Sequence, residues 1–588
     1  MPLYNYGDLV GEALGSICKQ TYNNLDIIVV DDYSSDNGSS VVSKIAQRDK
    51  RIRLVQHQHN MGLSAARNTG FAHAKGQYVC LLDPDDWYTP DKTERQVAFM
   101  LANPNTAMLY GSAHYQDKII GNEPFDCTKL ITQDYIPCQA VMIDKVALAI
   151  VGGNDLSLKY AEDWEHWLRL AAVTQAVCSM NDDVPVYHIR THDSYRQRSG
   201  HPDKPPFDAA VAQRGAIYQK QLQKTPRRIT HIIPDLNRGG AQMVLYYILQ
   251  AMPNSEWEIT IITHSNGILG EIIKKEVPHI NIITTAYLTK SISEFLSAQD
   301  VIHIHDWGDT PASEFGKAVM YTLGSHNVIV SEHSDQSVKN IPPNVRVVGT
   351  YNKYEHSPVM GEYFPSHINI VNGVATTTPS TKDRRNSIRE QLALSNKKVI
   401  ITISKFATIK GGDIFMDVCE YLAQKYPRKY AFIFIGAHPS HDCSSDCITR
   451  ADILSNQGEI IHLFSSIPTH EVYEYLAASD IFFMPSRTET QCLALLEALA
   501  VGLPCVVSTA GGMARVIRPP DIALPSDSSP AKWAAALCAR LKKPNTHTPL
   551  PPQHHASTMG QSYRWLYYNQ LLLRRLGEHD ACRTQINW

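Results

Sequence analysis

Residues 26–31 read DIIVVD, an apolar run of strand length that ends in Asp31 and is followed by a second acid, Asp32. A similar run, QYVCLL at residues 77–82, precedes the acidic segment DPDD. Residues 41–47, between the two runs, have helical periodicity, and this alternation is typical of parallel α/β units. Ligands of such folds bind beyond the carboxyl ends of the strands. We therefore expect the acids after both runs to face one crevice.

The composition is that of a globular protein. Of the 588 residues, 43% are hydrophobic and 19% are charged, which excludes a largely disordered chain. The formal net charge of −3 argues against a nucleic-acid-binding protein. No apolar run is long enough for a membrane span, and the first residues, MPLYNYGDLV, lack the features of a secretory signal. The 12 cysteines are scattered, which favours a reducing, cytoplasmic compartment.

The alternation of strand and helix is interrupted once. Residues 201–207 (HPDKPPF) are rich in proline, and residues 224–228 (KTPRR) are basic and polar. A second series of strands and helices begins at Thr230 and a third near His367, and a last helix is predicted over residues 562–576. We therefore predict four segments, with the boundaries 1–222, 229–365, 366–545 and 546–588.

The acids of the first segment have the chemistry of a nucleotide-diphosphate site. Asp83 and Asp85 can share a hard divalent cation that bridges a diphosphate and acts as a Lewis acid. Asp31 can accept hydrogen bonds from a base or ribose, and Arg67 can bind a phosphate. A carboxylate in the segment AEDW, which begins at Ala161, can act as a general base. Singly, an acid at a strand end is more often a helix cap, so the combination carries the prediction.

In these features residues 1–200 resemble the family 2 glycosyltransferases of GT-A fold. The matching strings are PLYN (2–5), VDDYSSD (30–36), NMGLSAARNTG (60–70), LLDPDDW (81–87) and the pair Glu162/Asp163. The resemblance implies an inverting transfer from a nucleotide-diphosphate sugar. By this resemblance Asp31 and Asp32 would hold the nucleotide. Asp83 and Asp85 would hold Mn²⁺ or Mg²⁺, and Asp163 would be the base.

The start of the chain departs from the family pattern. A central strand normally precedes PLYN, whereas here that strand is missing or reduced to two or three residues, and a helical stretch follows at residues 7–19. We expect either that the true start lies upstream or that this domain is shortened. A mass spectrum of the native protein distinguishes these alternatives.

The second and third segments contain another set of candidate residues. Gly239 and Gly240 join a strand to an apolar helix, where backbone amides can approach an anion or substrate. Lys405 follows the strand VIITIS, and Lys410 begins the string KGG. Two lysines near a strand end can neutralise a diphosphate. Alone, the glycine pair is a weak signal, and paired lysines are usually solvated.

The strongest signal is PSRTETQCLALLEALAVGLP at residues 485–504. Glu489 lies in its loop and Glu497 in the helix that follows. One acid can then meet a hydroxyl of the donor sugar and the other a ribose. The alternative is a helix cap and a buried glutamate.

Residues 230 to about 541 resemble the family 4 glycosyltransferases of GT-B fold. The matching strings are NRGGAQ, HIHDW, SEH, INIVNGV, ISKF with IKGG, and the double-glutamate string ending in STAGG at 508–512. The resemblance implies a retaining, metal-independent transfer from a nucleotide sugar held between two Rossmann-like halves. Segment 229–365 would be the acceptor side and segment 366–545 the donor side. The predicted fold class is thus α/β, a GT-A domain followed by a GT-B pair of Rossmann-like domains.

The family 4 resemblance also implies roles for single residues. Lys405 and Lys410 would clamp the diphosphate, Glu489 would meet the donor sugar and Glu497 the ribose. His333, or the loop at His305, would line the reaction centre. Two departures bear on donor choice: Lys405 stands where arginine is commoner, and Ala375 replaces a frequent aspartate.

Two further features have alternative interpretations. Four potential zinc ligands occur within ten residues, but their spacing matches no usual zinc module and favours a polar loop; they are His438, His441, Cys443 and Cys447. The aromatic residues of the last helix favour packing onto a domain over contact with a membrane surface.

The sequence therefore predicts a two-headed glycosyltransferase that builds a surface glycan. Its donors would be nucleotide-diphosphate sugars, and its acceptor a glycan or a lipid-linked sugar. It would work in the cytoplasm, with peripheral contact at the inner face of the membrane as an open alternative. Two other interpretations remain: only the C-terminal head is active, or the chain is a non-catalytic scaffold that binds sugar nucleotides.

Overall fold

The computed structural model describes most of the chain. The described residues are 1–158, 160–190, 211–218, 227–237, 239–253, 255–285, 287–306, 315, 316, 318, 319, 328–332, 346–349, 367–370, 374, 382–437, 442–465, 467, 469–489, 492–543, 550 and 555–577.

Residues 1–190 form three small sheets. Their strands are β1 (Pro2–Leu3), β2 (Ile27–Asp31), β3 (Ile52–Gln56), β4 (Tyr78–Cys80), β5 (Trp87–Tyr88), β6 (Met108–Tyr110), β7 (Ala113–Tyr115), β8 (Lys118–Ile120), β9 (Val141–Asp144), β10 (Val177–Ser179) and β11 (Tyr187–Ile189). The strand orders are β1-β2-β3, β10-β6-β9-β4 and β5-β11-β7-β8.

Helices pack against these sheets. They are α1 (Val10–Cys18), α2 (Gly38–Arg48), α3 (Leu63–His73), α4 (Lys92–Ala102), α5 (Cys127–Thr132), α6 (Lys145–Val151) and α7 (Glu162–Thr174). Residues 211–218 are also helical. In that helix Tyr218 donates a hydrogen bond to Glu165 Oε1 at 2.9 Å, so it packs with the N-terminal part.

The first sheet is built around β2. All five of its residues are buried, as expected of the β-branched run IIVV in a strand covered on both faces. The first strand is only two residues long: Pro2 pairs with Val30 and Leu3 with Asp31. This confirms the prediction of a strand reduced to two or three residues.

The rest of the chain forms two parallel sheets. Their strands are β12 (Arg227–Asp235), β13 (Trp257–Ser265), β14 (Asn281–Thr284), β15 (Val301–Asp306), β16 (Val328–Glu332), β17 (Arg346–Gly349), β18 (His367–Asn369), β19 (Lys398–Ile403), β20 (Tyr430–Ile435), β21 (Ile460–Phe464), β22 (Ile481–Met484), β23 (Cys505–Ser508) and β24 (Ile522–Leu524). The orders are β14-β13-β12-β15-β16-β17-β18 and β21-β20-β19-β22-β23-β24. Both start from a central strand and grow outward to each side, the doubly wound arrangement of Rossmann-like folds.

Helices connect these parallel strands. They are α8 (Gly240–Ala251), α9 (Ile268–Glu276), α10 (Lys290–Ser297), α11 (Lys382–Gln391), α12 (Gly412–Lys425), α13 (Ser444–Asn456), α14 (Thr469–Ala478), α15 (Leu493–Ala500), α16 (Met513–Val516), α17 (Pro530–Leu541) and α18 (Ala556–Gly577).

Strand β18 lies in a different sheet from the one that the sequence suggests. The third segment was predicted to start at residue 366, but β18 pairs with β17 and closes the seven-stranded sheet. An apolar run predicts a strand but not the partner of that strand, so sequence alone could not assign β18 to its sheet.

The last helix packs onto both parts of the molecule. Helix α18 contacts α8 of the seven-stranded sheet and also α6 and α7 of the N-terminal part. Tyr563, Trp565 and Tyr567 are buried, and Arg564 pairs with Glu256 at 3.0 Å. The packed arrangement predicted from the sequence is therefore confirmed for the described residues. In the part of the chain that the structure describes, no helix combines the length and apolarity needed to cross a bilayer.

Candidate active sites

The segment DPDDW connects β4 to β5 and presents its acids in two directions. The side chains of Asp83 and Asp85 are half-buried. Asp86 instead points inward and accepts a hydrogen bond from the Arg190 amide at 2.9 Å. Burial, with the nearby charges of Asp85 and Asp83, raises the pKa of Asp86 to about 8. The first two acids of the segment, Asp83 and Asp85, are thus the ones accessible to a ligand.

Arg67 joins this segment to the start of α7. It is 4% exposed; its Nη1 lies 2.8 Å from Glu162 Oε1 and its Nη2 3.2 Å from Asp83 Oδ1. Gln139 also donates to Asp83. Residues far apart in the chain therefore meet in one cluster. The structure places the guanidinium of Arg67 between two carboxylates, and its contact with a phosphate stays a prediction.

Glu162 and Asp163 begin α7 and have different environments. Burial and the charge of Asp163 raise the pKa of Glu162 to about 7, although Arg67 opposes the shift. Asp163 is half-buried, and one of its oxygens accepts the Trp164 amide at 2.9 Å. Carboxylates in the first turn are favoured by the helix dipole. The arrangement leaves Asp163 more open than Glu162.

Asp31, at the end of β2, is held in its ionised form. Burial opposes ionisation, but hydrogen bonds from Ser34 and Ser39 outweigh it and lower the pKa of Asp31. Its other recorded donor is Gln56, at 3.3 Å.

The carboxylate of Asp32 accepts hydrogen bonds from backbone amides of the same chain. Its two oxygens accept the backbone amides of Met61 and Gly62, both at 2.8 Å, and His57 Nδ1 lies 2.7 Å from Oδ1. Gly62 has a φ of 91°, a backbone conformation that favours glycine. Asp32 therefore positions the loop before α3, a role that the sequence did not predict.

The double-glutamate string meets the KGG string in the C-terminal sheet. Lys410 Nζ lies 2.9 Å from Glu489 Oε1, and Ser486 donates to the same oxygen at 3.0 Å. Glu489 is 9% exposed. Gly411 allows this approach: its φ is 73°, and a Cβ there would lie 2.4 Å from the Pro485 carbonyl oxygen.

Helix α8 brings the glycine pair to the same place. A Cβ on Gly240 would lie 4.0 Å from Leu493 Cδ1, at the start of α15. Tyr247 lies about two turns further along α8. Its pKa is raised by burial and then by the charge of Glu497. The glycine pair and Glu497 thus lie across the boundary between the two parallel sheets, where the sequence places a crevice.

Other predicted residues lie apart or outside the described residues. Lys405 is exposed at the end of β19. The side chain of His305 is buried in the sheet, with its Nε2 3.1 Å from His231 Nδ1, so it does not line the crevice. His333 lies outside the described residues, as do His438 and His441 of the suggested zinc cluster. Its remaining members, Cys443 and Cys447, are half-buried and buried.

Sequence reasoning missed the supporting residues of both sites. Gln139 belongs to no motif, Ser486 lies in the double-glutamate string without a predicted role, and Glu162 was noted only as the neighbour of Asp163. Their roles come from contacts across the fold, such as the 95 residues that separate Arg67 from Glu162. Arg67, an arginine in a segment whose neighbouring motifs are rich in acids, was a signal in the sequence for such a contact.

Comparison with known proteins identifies the chain. A family model described as Glycosyl transferase family 2 matches residues 1–138, and one described as Glycosyl transferases group 1 matches residues 397–543. An Escherichia coli protein, UDP-Glc:alpha-D-GlcNAc-diphosphoundecaprenol beta-1,3-glucosyltransferase WfgD, is 32% identical over 178 residues, which are 29% of this chain and 67% of that protein. The chain belongs to the glycosyltransferases. The two matches confirm both family resemblances, in the predicted order.

This glycosyltransferase has further relatives of its N-terminal part. Putative teichuronic acid biosynthesis glycosyltransferase TuaG of Bacillus subtilis is 28% identical over 32% of this chain and 77% of its own length. An uncharacterized glycosyltransferase of Haemophilus influenzae is 36% identical over 22% of this chain, and the chain spans only 50% of that relative.

Two solved structures with bound UDP are also similar to parts of the chain. Anabaena Alr3699/HepE in complex with UDP and glucose is 16% identical, with a TM-score of 0.45, over 60% of this chain and all of HepE. S. aureus TarS 1-349 in complex with UDP is 18% identical, with a TM-score of 0.32, over 38% of this chain and 65% of TarS.

Proposed function

We propose that this glycosyltransferase carries two active sites and adds two sugars to a growing surface glycan. The observation that supports the first site most directly is Arg67, which ties the acidic segment at Asp83 to the acid pair at the start of α7. A cation site and a general base then lie on either side of one buried guanidinium. The Lys410–Glu489 pair supports the second site.

In the first site Asp83 and Asp85 would hold Mn²⁺ or Mg²⁺. Their carboxylates fit a hard cation, and the half-buried positions leave them accessible to a ligand. A bound cation would stabilise the charge of the departing nucleoside diphosphate. Arg67 and Gln139 hold Asp83 in place, and Asp31 is the acceptor for the nucleoside.

Asp163 would accept the proton of the incoming hydroxyl. A general base must be reachable from the acceptor, and Asp163 is the more open member of the acid pair. Glu162 is buried and paired with Arg67, so it positions the guanidinium and α7. Attack from this side, opposite the leaving group, gives inversion at the anomeric carbon.

In the second site the lysines would bind the donor diphosphate. Lys410 forms an ion pair with Glu489. Lys405 is exposed on the loop that precedes Lys410. Glu489 would then bind the donor sugar, Glu497 the ribose, and the amides at Gly239 and Gly240 the acceptor side. His333 would lie at the reaction centre. Retention needs no protein nucleophile if the leaving phosphate takes the proton, so catalysis is positioning and charge stabilisation.

The acceptor proposed is a lipid-linked or polymeric glycan. The names of two relatives refer to a diphosphoundecaprenol-linked sugar and to teichuronic acid biosynthesis, which is the basis for this class of acceptor. The fold alone does not select a substrate. One alternative is that only the C-terminal head is active.

The test is release of nucleoside diphosphate from a panel of donors, with Mn²⁺ or with EDTA. The proteins are the wild type, Asp85→Ala and Glu489→Ala. We expect one donor's turnover to be lost with Asp85→Ala and with EDTA, and another's only with Glu489→Ala. Turnover that depends on Glu489 alone would support the single-head alternative. If donors bind and none of them is turned over, the proposal of two active sites is wrong. That outcome would favour the non-catalytic scaffold.

A further inference from the structure

Three histidines form a buried cluster inside the seven-stranded sheet. They are His231 on β12 and His303 and His305 on β15. Strand register pairs His231 with His303, and His305 is two residues further on, so all three side chains lie on one face. One nitrogen of each ring lies within 4.8 Å of the others. Such convergence is the arrangement of a metal site.

We propose that His231, His303 and His305 bind a divalent transition-metal ion, zinc by preference, which fastens the last helix to this sheet. Imidazole nitrogens suit Zn²⁺, Co²⁺ or Ni²⁺ rather than Mg²⁺, and zinc is usually bound by four ligands at about 2.0–2.1 Å from nitrogen. The separation of 3.1 Å between His231 Nδ1 and His305 Nε2 is close to the roughly 3.3 Å between two nitrogens of a tetrahedral zinc site.

All three rings are buried: His231 and His303 are fully buried and His305 is 1% exposed. An apolar interior favours the uncharged form of a histidine, which is the form that binds metals.

The cluster is incomplete as a hydrogen-bond network. His231 Nε2 is buried and has no hydrogen-bond partner among the described residues. His231 Nδ1 and His305 Nε2 face each other, so only one of them can carry the shared proton. Either tautomer leaves a buried nitrogen of His231 unsatisfied. An ion held by His231 Nδ1 and His305 Nε2 replaces the proton that these two nitrogens share, and His231 Nε2 stays outside the site.

The surroundings of His303 resemble the second shell of a metal ligand. Its Nδ1 lies 2.8 Å from the Tyr567 hydroxyl and its Nε2 2.7 Å from the Ser331 hydroxyl. With Nδ1 on the ion, Nε2 donates its proton to the Ser331 hydroxyl, which fixes the ring.

The last helix completes the cluster. Tyr567 and Tyr563 on α18 both lie against His303, with ring centroids 5.7 and 5.5 Å away. The Tyr567 hydroxyl is an oxygen available to the fourth position. An ion here joins β12, β15 and α18, so its role is structural rather than catalytic.

The test is the metal content of the full-length protein. Wild type, His305→Asn and Cys447→Ala are expressed with zinc, dialysed against Mg²⁺ so that the carboxylate site holds the hard cation, and analysed for zinc. We expect one zinc per chain in wild type and in Cys447→Ala, and at least a tenfold loss in His305→Asn. Equal zinc in wild type and His305→Asn, or none in wild type, would overturn the proposal. Loss in Cys447→Ala alone would also overturn it and assign zinc to the cysteines at the start of α13, Cys443 and Cys447.

A second measurement needs no variant and therefore does not depend on mutant folding. Wild-type protein loaded with Co²⁺ should show visible d–d bands without the charge-transfer band of a cobalt–thiolate bond. A spectrum without d–d bands would contradict a three-histidine site. A spectrum with both d–d bands and the cobalt–thiolate charge-transfer band would also contradict it. Neither result bears on nucleoside-diphosphate release, so the failure of this proposal and that of the proposed function are distinguishable.

Discussion

At the scale of single residues, Arg67 has the largest predicted effect. Replacing it by methionine leaves Asp83 and Glu162 without their shared counterion in a buried cluster. Removing one partner of a buried ion pair costs about 3–5 kcal/mol, because the remaining charge is unpaired. We expect Arg67→Met to lower the free energy of unfolding by about 3 kcal/mol and to abolish the metal-dependent turnover, as measured by urea denaturation and donor hydrolysis.

Arg53→Met is the matched control for this prediction. Arg53 pairs with Asp26 at 2.7 Å, but both side chains are partly exposed. Exposed pairs contribute about 0–1 kcal/mol, so this variant should unfold almost as the wild type does. Similar losses in the two variants would show that the Arg67 cluster is solvated and not the buried link described above.

The same residues show how far sequence reasoning reaches. The motifs placed Asp83 after a strand, Asp163 in a helical stretch and Glu489 in a loop, because local patterns specify local structure. They assigned Arg67 to a phosphate and Asp32 to a nucleotide, since a motif names a residue but not its partner. The carboxylate of Glu162, and the backbone amides that occupy Asp32, come into contact only when distant segments pack.

At the scale of elements, the turn between β19 and α12 positions the second site. Gly411 has a φ of 73°, and a Cβ would lie 2.4 Å from the Pro485 carbonyl oxygen. A residue with a side chain pays roughly 1–2 kcal/mol for the left-handed conformation alone, before the clash. We expect Gly411→Ala to shift Lys410 away from Glu489 and to lower the metal-independent turnover at least tenfold, while the metal-dependent turnover is retained.

A glycine in another helix serves as the control for Gly411→Ala. A Cβ on Gly15 of α1 meets nothing within 4 Å, and glycine is about 1 kcal/mol less favourable than alanine inside a helix. Gly15→Ala should therefore stabilise the protein slightly and leave both activities intact. Full metal-independent activity in Gly411→Ala would refute the role of this turn.

Elements were easier to predict than their arrangement. The apolar run that forms β2 and the one that forms β19 are strands, as their composition indicates. The sheet of β18 was misjudged, because strand pairing depends on contacts between distant segments. The aromatic residues of α18 predicted packing, but not that the helix contacts three others.

At the scale of the whole molecule, α18 makes the N-terminal part and the seven-stranded sheet share one core. Trp167 of α7, Ile248 of α8 and Tyr563 of α18 belong to a single buried apolar cluster. Such continuity predicts that these parts unfold together.

A Cβ on Gly560 would lie 2.0 Å from Ala251 Cβ, so Gly560→Val should separate α18 from α8 and split the calorimetric transition in two. Ser557→Val, at an exposed position of the same helix, should keep one transition. Two separated transitions in the wild type, or one in Gly560→Val, would show that α18 does not couple the two parts.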